Sequence, residues 1–282
     1  MNILSFLGRI IMISRPRIWI YTAGSFATGI LIGTGSFSSL FRMDLLPLFL
    51  WLTLPANLFL YSINDAFDYE TDAKNPKKDK FENRASKTEK STLILTGIIS
   101  CLPLIFIFLG LQFEVKAMIF LWFILVLSYN FPGIRLKAVP ILDNLFCFNF
   151  PLWGIIGYFL VSGQLPSAQV YVLIGLFSIA MHLYTSSIDL EYDRAAGIKT
   201  TSVLIGSVKA NLLVCAGSIL LLTAGLITIG QLLAAFAVFG YLIFFLVQFF
   251  KRGDVKLVHW YRYFIYLHYV TGFIFAINFV KI

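Results

Sequence analysis

Acidic side chains cluster at the end of one strongly apolar stretch of the chain. Residues 64–72 read Asn-Asp-Ala-Phe-Asp-Tyr-Glu-Thr-Asp and follow a run of residues that is long enough to enter a bilayer. On a helix, Asp65, Asp68 and Asp72 fall at i, i+3 and i+7, so they share one face, and Asn64 lies one turn before Asp68. Carboxylate oxygens are the hard ligands that Mg²⁺ prefers. The spacing therefore predicts a metal-binding face.

A second acidic cluster follows another apolar run, with Asp189 and Asp193 one helical turn apart. Two such clusters on opposing helices would hold one diphosphate between two Mg²⁺ ions, because this metal is usually shared between carboxylates and substrate phosphates. Nearby cations would complete the charge balance. The candidate cations are Lys77, Lys78, Arg84, Arg135, Lys137, Arg194 and Lys199. The alternative, acids that only cap helices and solvate loops, suits a single aspartate better than two spaced clusters.

The composition predicts a polytopic membrane protein. Of 282 residues, 59% are hydrophobic and 13% charged, and this leaves too little polar surface for a soluble globule. We expect an all-α chain of about nine transmembrane helices, near 16–33, 45–64, 91–110, 114–131, 139–161, 168–190, 208–229, 231–250 and 260–280. The chain reads as a single domain, residues 1–282, and its paired acidic clusters suggest two four-helix units plus a ninth helix.

The distribution of basic residues predicts the orientation. In the nine-span arrangement, all but three of the 22 Lys and Arg residues fall on the side of the N-terminus. Cytoplasmic loops carry such an excess, so the N-terminus is predicted to be cytoplasmic and the C-terminus to lie outside the plasma membrane. This explains the net charge of +8 without a nucleic-acid partner. Both acidic clusters lie on the cytoplasmic side at the ends of spans, whereas an ion-coupled transporter, the competing class, would place acids near the midplane.

These motifs resemble those of the UbiA superfamily of intramembrane prenyltransferases. The resemblance covers nearly the whole chain: Arg15-Pro16 before the first span, the two aspartate motifs, and Gly197-Ile198-Lys199-Thr200 after the second motif. It implies a helical bundle around a central cavity that opens toward the cytoplasm. It also implies Mg²⁺-dependent ionisation of an isoprenyl diphosphate by Asn64 and the five aspartates, and capture of the carbocation by an acceptor in the membrane.

The stretch before the second motif resembles the lycopene elongase branch. It carries Ser186-Ser187, where many members have an acid or Gln. This branch adds dimethylallyl units to lycopene, and some members also hydrate the product. The resemblance therefore implies a dimethylallyl donor and a lycopene-type acceptor. An aromatic quinone precursor or another lipid is the alternative acceptor, and hydration of the product is left open.

Four further polar residues have predicted roles in such a reaction. Tyr129, at the cytoplasmic end of its span, is predicted to contact the allylic end of the donor, since ring faces attract cations; interfacial anchoring is the alternative. Asn57 and His182 each lie seven residues before a motif residue and so are predicted to face the cavity, His182 as a proton acceptor. The alternative role for both Asn57 and His182 is a packing contact inside the bundle. Asp143 is expected to pair with Arg135 or Lys137.

Overall fold

The computed structural model describes residues 3–69, 85–252 and 256–280, and these are helical with no strand among them. The all-α prediction is therefore confirmed. The α-helices in these ranges are α1 (Ile3–Ser14), α2 (Ala23–Thr34), α3 (Leu46–Trp51), α4 (Leu54–Asp68), α5 (Lys90–Ser100), α6 (Leu102–Leu109), α7 (Phe113–Asn130), α8 (Pro151–Ser162), α9 (Ala168–Ala195), α10 (Thr201–Ile205), α11 (Val208–Thr228), α12 (Leu232–Phe249) and α13 (Tyr261–Asn278). Short 3₁₀ segments include Pro16–Tyr21, Leu136–Ala138 and Leu142–Asn149.

Six helical stretches within the described residues are long and apolar enough to span a membrane. They are Leu46–Asp68, Lys87–Leu109, Phe113–Asn130, Ala168–Ala195, Val208–Thr228 and Leu232–Phe249. The pair Leu142–Asn149 and Pro151–Ser162 is also long and apolar enough, but the two helices meet at a bend of 41°, so the number is seven only if this pair forms one span. The chain is thus a multi-pass membrane protein, although the predicted count of nine spans is not confirmed.

The two remaining predicted spans are helical but depart from the expected form. The first consists of the 3₁₀ segment Pro16–Tyr21 followed by α2, which has only 12 residues. The last is α13, an 18-residue helix that contains Arg262, His268 and Asn278. These polar residues lower the mean hydropathy of α13. The helix therefore has the length of a membrane span but is less apolar than the six stretches above.

Two large clusters of buried side chains form most of the interior, one from residues 18–159 and one from residues 180–265. In the first cluster, Trp51, Trp122 and Trp153 are at most 2% exposed, and their ring centroids lie 5.4–5.8 Å apart. In the second half, Tyr184 and Phe264 pack with a ring-centroid distance of 4.3 Å. Aromatic rings bury large areas and favour such tilted arrangements. The predicted division into two four-helix units and a ninth helix stays a prediction.

Helices α2 and α8 touch through their backbones. A Cβ atom added at Gly29 would lie 1.9 Å from the carbonyl oxygen of Gly154, and one added at Gly157 would lie 2.4 Å from the carbonyl oxygen of Phe26. Small residues permit such close approach of membrane helices. Because α8 directly follows the 3₁₀ segment Leu142–Asn149, this contact also fixes the position of that segment.

We predict that Gly29→Ala destabilises the protein by about 2 kcal/mol, because the new methyl group forces α2 and α8 apart. Gly217→Ala is the matched control, since a Cβ there meets no atom within 4 Å. Its stability should stay the same or rise, because Ala favours the helix more than Gly does. Thermal unfolding of both variants in detergent checks this. Equal melting temperatures would show that the close contact is not a packing constraint.

Candidate active site

The described part of the first acidic motif, Asn64 to Asp68, forms the C-terminal end of α4. The apolar run from Leu54 continues the helix directly into Asn64, Asp65 and Asp68, and α4 ends at Asp68. Asp65 is 1% exposed and Asp68 is 6% exposed. A buried carboxylate is costly unless it is paired, so each needs a cation or several hydrogen-bond donors. The other predicted members, Asp72, Lys77, Lys78 and Arg84, lie outside the described residues.

Arg15 pairs with Asp65. Its Nη2 atom donates to Asp65 Oδ1 over 2.7 Å, and its guanidinium carbon lies 4.3 Å from the centroid of the Tyr61 ring. Arg15 has a φ of +52°, which is uncommon for a residue other than glycine. The sequence identified Arg15 only as part of a motif. Its partner is 50 positions away and therefore gives no local signal.

Two of the predicted cations meet at Asp68. Lys137 Nζ donates to Asp68 Oδ1, and Arg135 Nη2 lies 3.8 Å from the same oxygen. Asn64 Nδ2 donates to the other oxygen, Oδ2, over 2.9 Å. Arg135 has a φ of +40°, so a strained turn delivers both cations to the carboxylate. The structure thus brings together Asn64, Asp68, Arg135 and Lys137.

The two aspartate motifs meet at Lys137. Asp189 and Asp193 lie near the end of α9 and are partly buried. Burial of Lys137 lowers its pKa to about 8, while the nearby Asp193 and Asp189 carboxylates act in the opposite direction. Lys137 therefore binds Asp68 of α4 and lies near enough to Asp189 and Asp193 of α9 for their charges to affect its pKa.

Asn130 is a site residue that the sequence analysis missed. Its Oδ1 atom accepts a hydrogen bond of 2.9 Å from Asn64 Nδ2, and its own amide donates to the Val126 carbonyl oxygen over 2.8 Å. Asn130 is 1% exposed at the last residue of α7. These two hydrogen bonds fix the Asn130 side chain, which in turn orients the Asn64 amide that contacts Asp68. The available signal was an asparagine at the end of an apolar span, adjacent to Tyr129.

Tyr129 and His182 lie close to each other, next to the second motif. The Tyr129 ring stacks on Phe146 with a centroid distance of 3.9 Å, and its centroid lies 6.3 Å from that of His182. Tyr129 also interacts electrostatically with Asp189 and Asp193. Its ring therefore lies near these acids, and its contact with an allylic carbon stays a prediction.

The expected pairing of Asp143 with Arg135 or Lys137 is wrong. Those two cations pair with Asp68, whereas Asp143 Oδ2 lies 3.5 Å from His182 Nε2. The strained turn at Ile141, where φ is +74°, precedes Asp143, whose side chain is fully buried. The chain therefore turns this carboxylate inward, away from the cations that are near it in sequence.

Three predicted substrate-binding residues have no contact with an aspartate of the motifs among the bonds that the structure describes. Arg194 is exposed and donates to the Gly206 carbonyl oxygen over 2.6 Å, and Lys199 is also exposed. The amide of Asn57 donates to Thr22 Oγ1 over 2.8 Å and to the carbonyl oxygens of Leu52 and Thr53, so it stabilises the break between α3 and α4. Their contacts with a substrate stay predictions.

The carboxylates fit Mg²⁺ by their chemistry. Asp65, Asp68, Asp189 and Asp193 offer hard oxygen ligands. Within the described ranges, no three His, Cys, Asp or Glu side chains gather closely enough to hold a metal ion by themselves. Mg²⁺ needs only one or two carboxylates when phosphates and waters complete its shell. The residues therefore suit a metal that arrives with a diphosphate.

We predict that Arg15→Met lowers the stability by about 3 kcal/mol, because it leaves the buried Asp65 carboxylate without this cation. Replacing both partners, in Arg15→Met/Asp65→Leu, should recover most of the loss. Arg42→Met, which breaks the exposed pair between Arg42 and Asp44, is the control and should change the melting temperature little. A single variant as stable as the wild type would contradict a stabilising buried pair.

The chain is similar in sequence to known proteins along most of its length. The model of the UbiA prenyltransferase family matches residues 22–268. The chain is 36% identical over 214 residues to a lycopene elongase/hydratase of Halobacterium salinarum, covering 76% of each protein. It is 33% identical over 200 residues to a lycopene elongase/hydratase of Haloarcula japonica, covering 71% of this chain and 68% of that one.

Solved structures share the fold. A UbiA homolog from Archaeoglobus fulgidus bound to DMAPP and Mg²⁺ superposes with a TM-score of 0.68 at 17% identity, over 96% of this chain and 97% of that one. The same homolog bound to GPP and Mg²⁺ gives a TM-score of 0.67 at 16% identity, over 96% and 98% of the two chains. Together with the family match and the paired aspartate motifs, this shows that the chain belongs to the UbiA family of prenyltransferases.

Proposed function

We propose that this chain transfers a dimethylallyl group from its diphosphate to a lycopene-type carotenoid that is dissolved in the membrane. The observation that carries the proposal is the position of Lys137, which binds Asp68 of α4 and interacts with Asp189 and Asp193 of α9. Acids and cations that gather at the end of an apolar bundle suit a ligand with a highly charged head and a hydrophobic tail.

The first step is the loss of diphosphate from the donor. The bond between the allylic carbon and the diphosphate oxygen breaks, and its electron pair leaves with the diphosphate. Lys137 and Arg135 are positioned to stabilise the negative charge that develops, which is often the largest contribution to catalysis. Asp65, Asp68, Asp189 and Asp193 would hold Mg²⁺, which would supply further positive charge to the leaving group. Arg194 and Lys199 remain candidates for the outer phosphate contacts.

The second requirement is protection of the allylic cation. Water would add to this cation, so the reacting carbon must be held in an apolar environment. Tyr129 can present its ring to the cation, because ring faces attract positive charge. Stacking on Phe146 fixes the ring plane and limits reorganisation during the reaction.

The helix before the second motif favours a polyene acceptor over an aromatic one. The Ser187 hydroxyl donates to the Leu183 carbonyl oxygen over 2.5 Å, and the Ser186 hydroxyl donates to the same oxygen over 3.2 Å. Their protons therefore already have acceptors within the helix. A quinone precursor would need polar groups to orient it, whereas a polyene end needs only an apolar slot. The relatives named lycopene elongase/hydratase support the same acceptor class.

The proposed topology places this chemistry on the cytoplasmic side of the plasma membrane. The N-terminus is in the cytoplasm and the C-terminus outside, as the distribution of Lys and Arg favours. The donor diphosphate is water-soluble at its head and would enter from the cytoplasm. An ion-coupled transporter is the less suitable alternative, because Asp65, Asp68, Asp189 and Asp193 all lie near helix ends.

We predict that lycopene-producing cells that express this chain accumulate lycopene extended by one or two five-carbon units. Asp68→Asn should reduce these products about 100-fold or more, because it removes the charge that gathers the cations and the metal. Asp44→Asn changes an exposed acid on the other side and should retain them. Liquid chromatography with mass spectrometry measures the pigments. Undiminished products in Asp68→Asn would contradict the proposed site, and prenylated quinone precursors beside unchanged lycopene would overturn the proposed acceptor.

We predict that the purified protein stops releasing diphosphate from its allylic donor when EDTA removes divalent cations, and resumes when Mg²⁺ is added in excess. The carboxylates alone would repel the diphosphate. Diphosphate release in the presence of lycopene is the measurement, and addition of Ca²⁺ is the control for ion identity. Full turnover in metal-free buffer would show that the cationic side chains alone are sufficient for ionisation.

A further inference from the structure

Four hydrogen bonds join Thr201 to the segment around Asp143. The Thr201 backbone N–H donates to Asp143 Oδ2 over 2.9 Å, and the Thr201 hydroxyl donates to Oδ1 of the same carboxylate. That hydroxyl accepts from Ile141 N over 2.7 Å and from Asn144 Nδ2 over 2.8 Å. A hydroxyl has one proton and two lone pairs, so its hydrogen-bonding capacity is filled. Thr201 is therefore held in one position relative to residues 141–144.

On one side, this contact leads to the first aspartate motif. Asp143 N donates to the Val139 carbonyl oxygen over 3.0 Å, and Val139 N donates to the Leu136 carbonyl oxygen over 3.0 Å. Lys137 lies within this hydrogen-bonded stretch, and its ammonium group binds Asp68. The position of Asp143 therefore constrains the cation that reaches Asp68.

On the other side, the contact leads to the second motif. Helix α9 ends in a Schellman motif, in which Ile198 N donates to the Asp193 carbonyl oxygen over 2.9 Å and Gly197 N donates to that of Arg194 over 3.2 Å. Gly197 has the positive φ, +73°, that this motif requires. Helix α10 then begins at Thr201 itself. The turn after Asp193 is thus fixed by hydrogen bonds up to the helix that Thr201 starts.

The contact joins the two parts of the chain that form separate interior clusters. Asp143 lies within the range of the first cluster, residues 18–159, and Thr201 within that of the second, residues 180–265. Ile141, which donates to the Thr201 hydroxyl, has a φ of +74°, a rare conformation for a β-branched residue. Such strain persists where the surrounding structure over-determines the backbone. The connection between the two parts is therefore maintained at a cost in local backbone energy.

We propose that Thr201 is a positioning residue that acts through Asp143 and sets the separation of the two aspartate motifs for a Mg²⁺–diphosphate complex; this rests on the proposed function. Residues that orient ligands from behind affect affinity strongly, although they touch neither metal nor substrate. Loss of the Thr201 hydroxyl should weaken donor binding more than it slows the chemical step. A saturating donor contacts both motifs itself and so restores their separation.

The test measures binding of a slowly ionising donor analogue, dimethylallyl thiolodiphosphate with Mg²⁺, to the purified protein by calorimetry. Thr201→Val keeps the shape and β-branching of the side chain but removes the hydroxyl. Its Kd should rise about tenfold, as for the loss of other residues that orient ligands. Diphosphate release from dimethylallyl diphosphate at saturating donor and Mg²⁺ should stay within about threefold of the wild-type rate. Thr201→Ser restores the hydroxyl and should restore the wild-type Kd.

Thr223→Val is the matched control. Thr223 is another buried threonine, and its hydroxyl donates to the Ile219 carbonyl oxygen over 2.8 Å within α11. This variant should bind the analogue with the wild-type Kd. If Thr201→Val does not fold, Asn144→Ala decides, because it removes one donor to the Thr201 hydroxyl at a half-buried position. Its Kd should rise by a smaller factor.

A wild-type Kd in folded Thr201→Val, or in Asn144→Ala where that variant decides, would overturn the positioning role, even if the melting temperature falls. A loss of saturated rate at an unchanged Kd would overturn it as well. Failure of the proposed function has a different signature. In that case the wild-type protein itself would neither bind the Mg²⁺–analogue complex nor release diphosphate from the donor.

Discussion

The cost of burying a carboxylate in an apolar bundle is the constraint on which the site depends. Asp65, Asp68 and Asp143 are each at most 6% exposed, and each is paired in a different way. Asp65 has a guanidinium, Asp68 has two cations and an amide, and Asp143 has neutral donors and an imidazole. Each pairing draws in a segment that is remote in sequence. The positions of the N-terminal segment and of residues 135–143 therefore follow from the positions of Asp65 and Asp68 on α4 and of His182 on α9.

Backbone strain accompanies these pairings. Within the described ranges, the residues other than glycine with a positive φ are Arg15, Arg135 and Ile141. Each such conformation costs free energy of the order of 1 kcal/mol or more. Two of these residues reach a buried aspartate with their own side chains, and the third directly precedes the turn that buries Asp143. Strain at these positions and not elsewhere indicates that the geometry of the charged groups takes precedence over local backbone preference.

Helical spacing was enough to predict part of the site from the sequence. It placed Asp65 and Asp68 near one end of the same helix, and Asp189 and Asp193 near the end of another, because short-range periodicity determines these relations. It could not identify Arg15 and Asn130 as partners of α4, since those contacts depend on how distant helices pack. The assignment of Asp143 failed for a related reason. Closeness in sequence favoured Arg135, whereas a single strained turn reversed the direction of the side chain.

The same limit applies to the fold. The apolar runs predicted the spans of the middle of the chain, but composition did not reveal that Pro16–Tyr21 would form a 3₁₀ segment or that Pro151 would begin a helix bent by 41° from the one before it. Proline lacks an N–H donor, and the first turn of a helix does not use one, so proline is accommodated at these positions. Whether a span continues or bends there depends on the packing of neighbouring helices, as in the close contact between α2 and α8.

The different partners of the acids bear on what each can do during a reaction. Lys137 and Arg135 both pair with Asp68, so under the proposed function they would exchange this carboxylate for phosphate oxygens when a metal–diphosphate complex arrives. The partners of Asp143 cannot leave in this way, because two of them are the backbone and side chain of Thr201. Asp143 thus keeps its charge and position through the whole cycle.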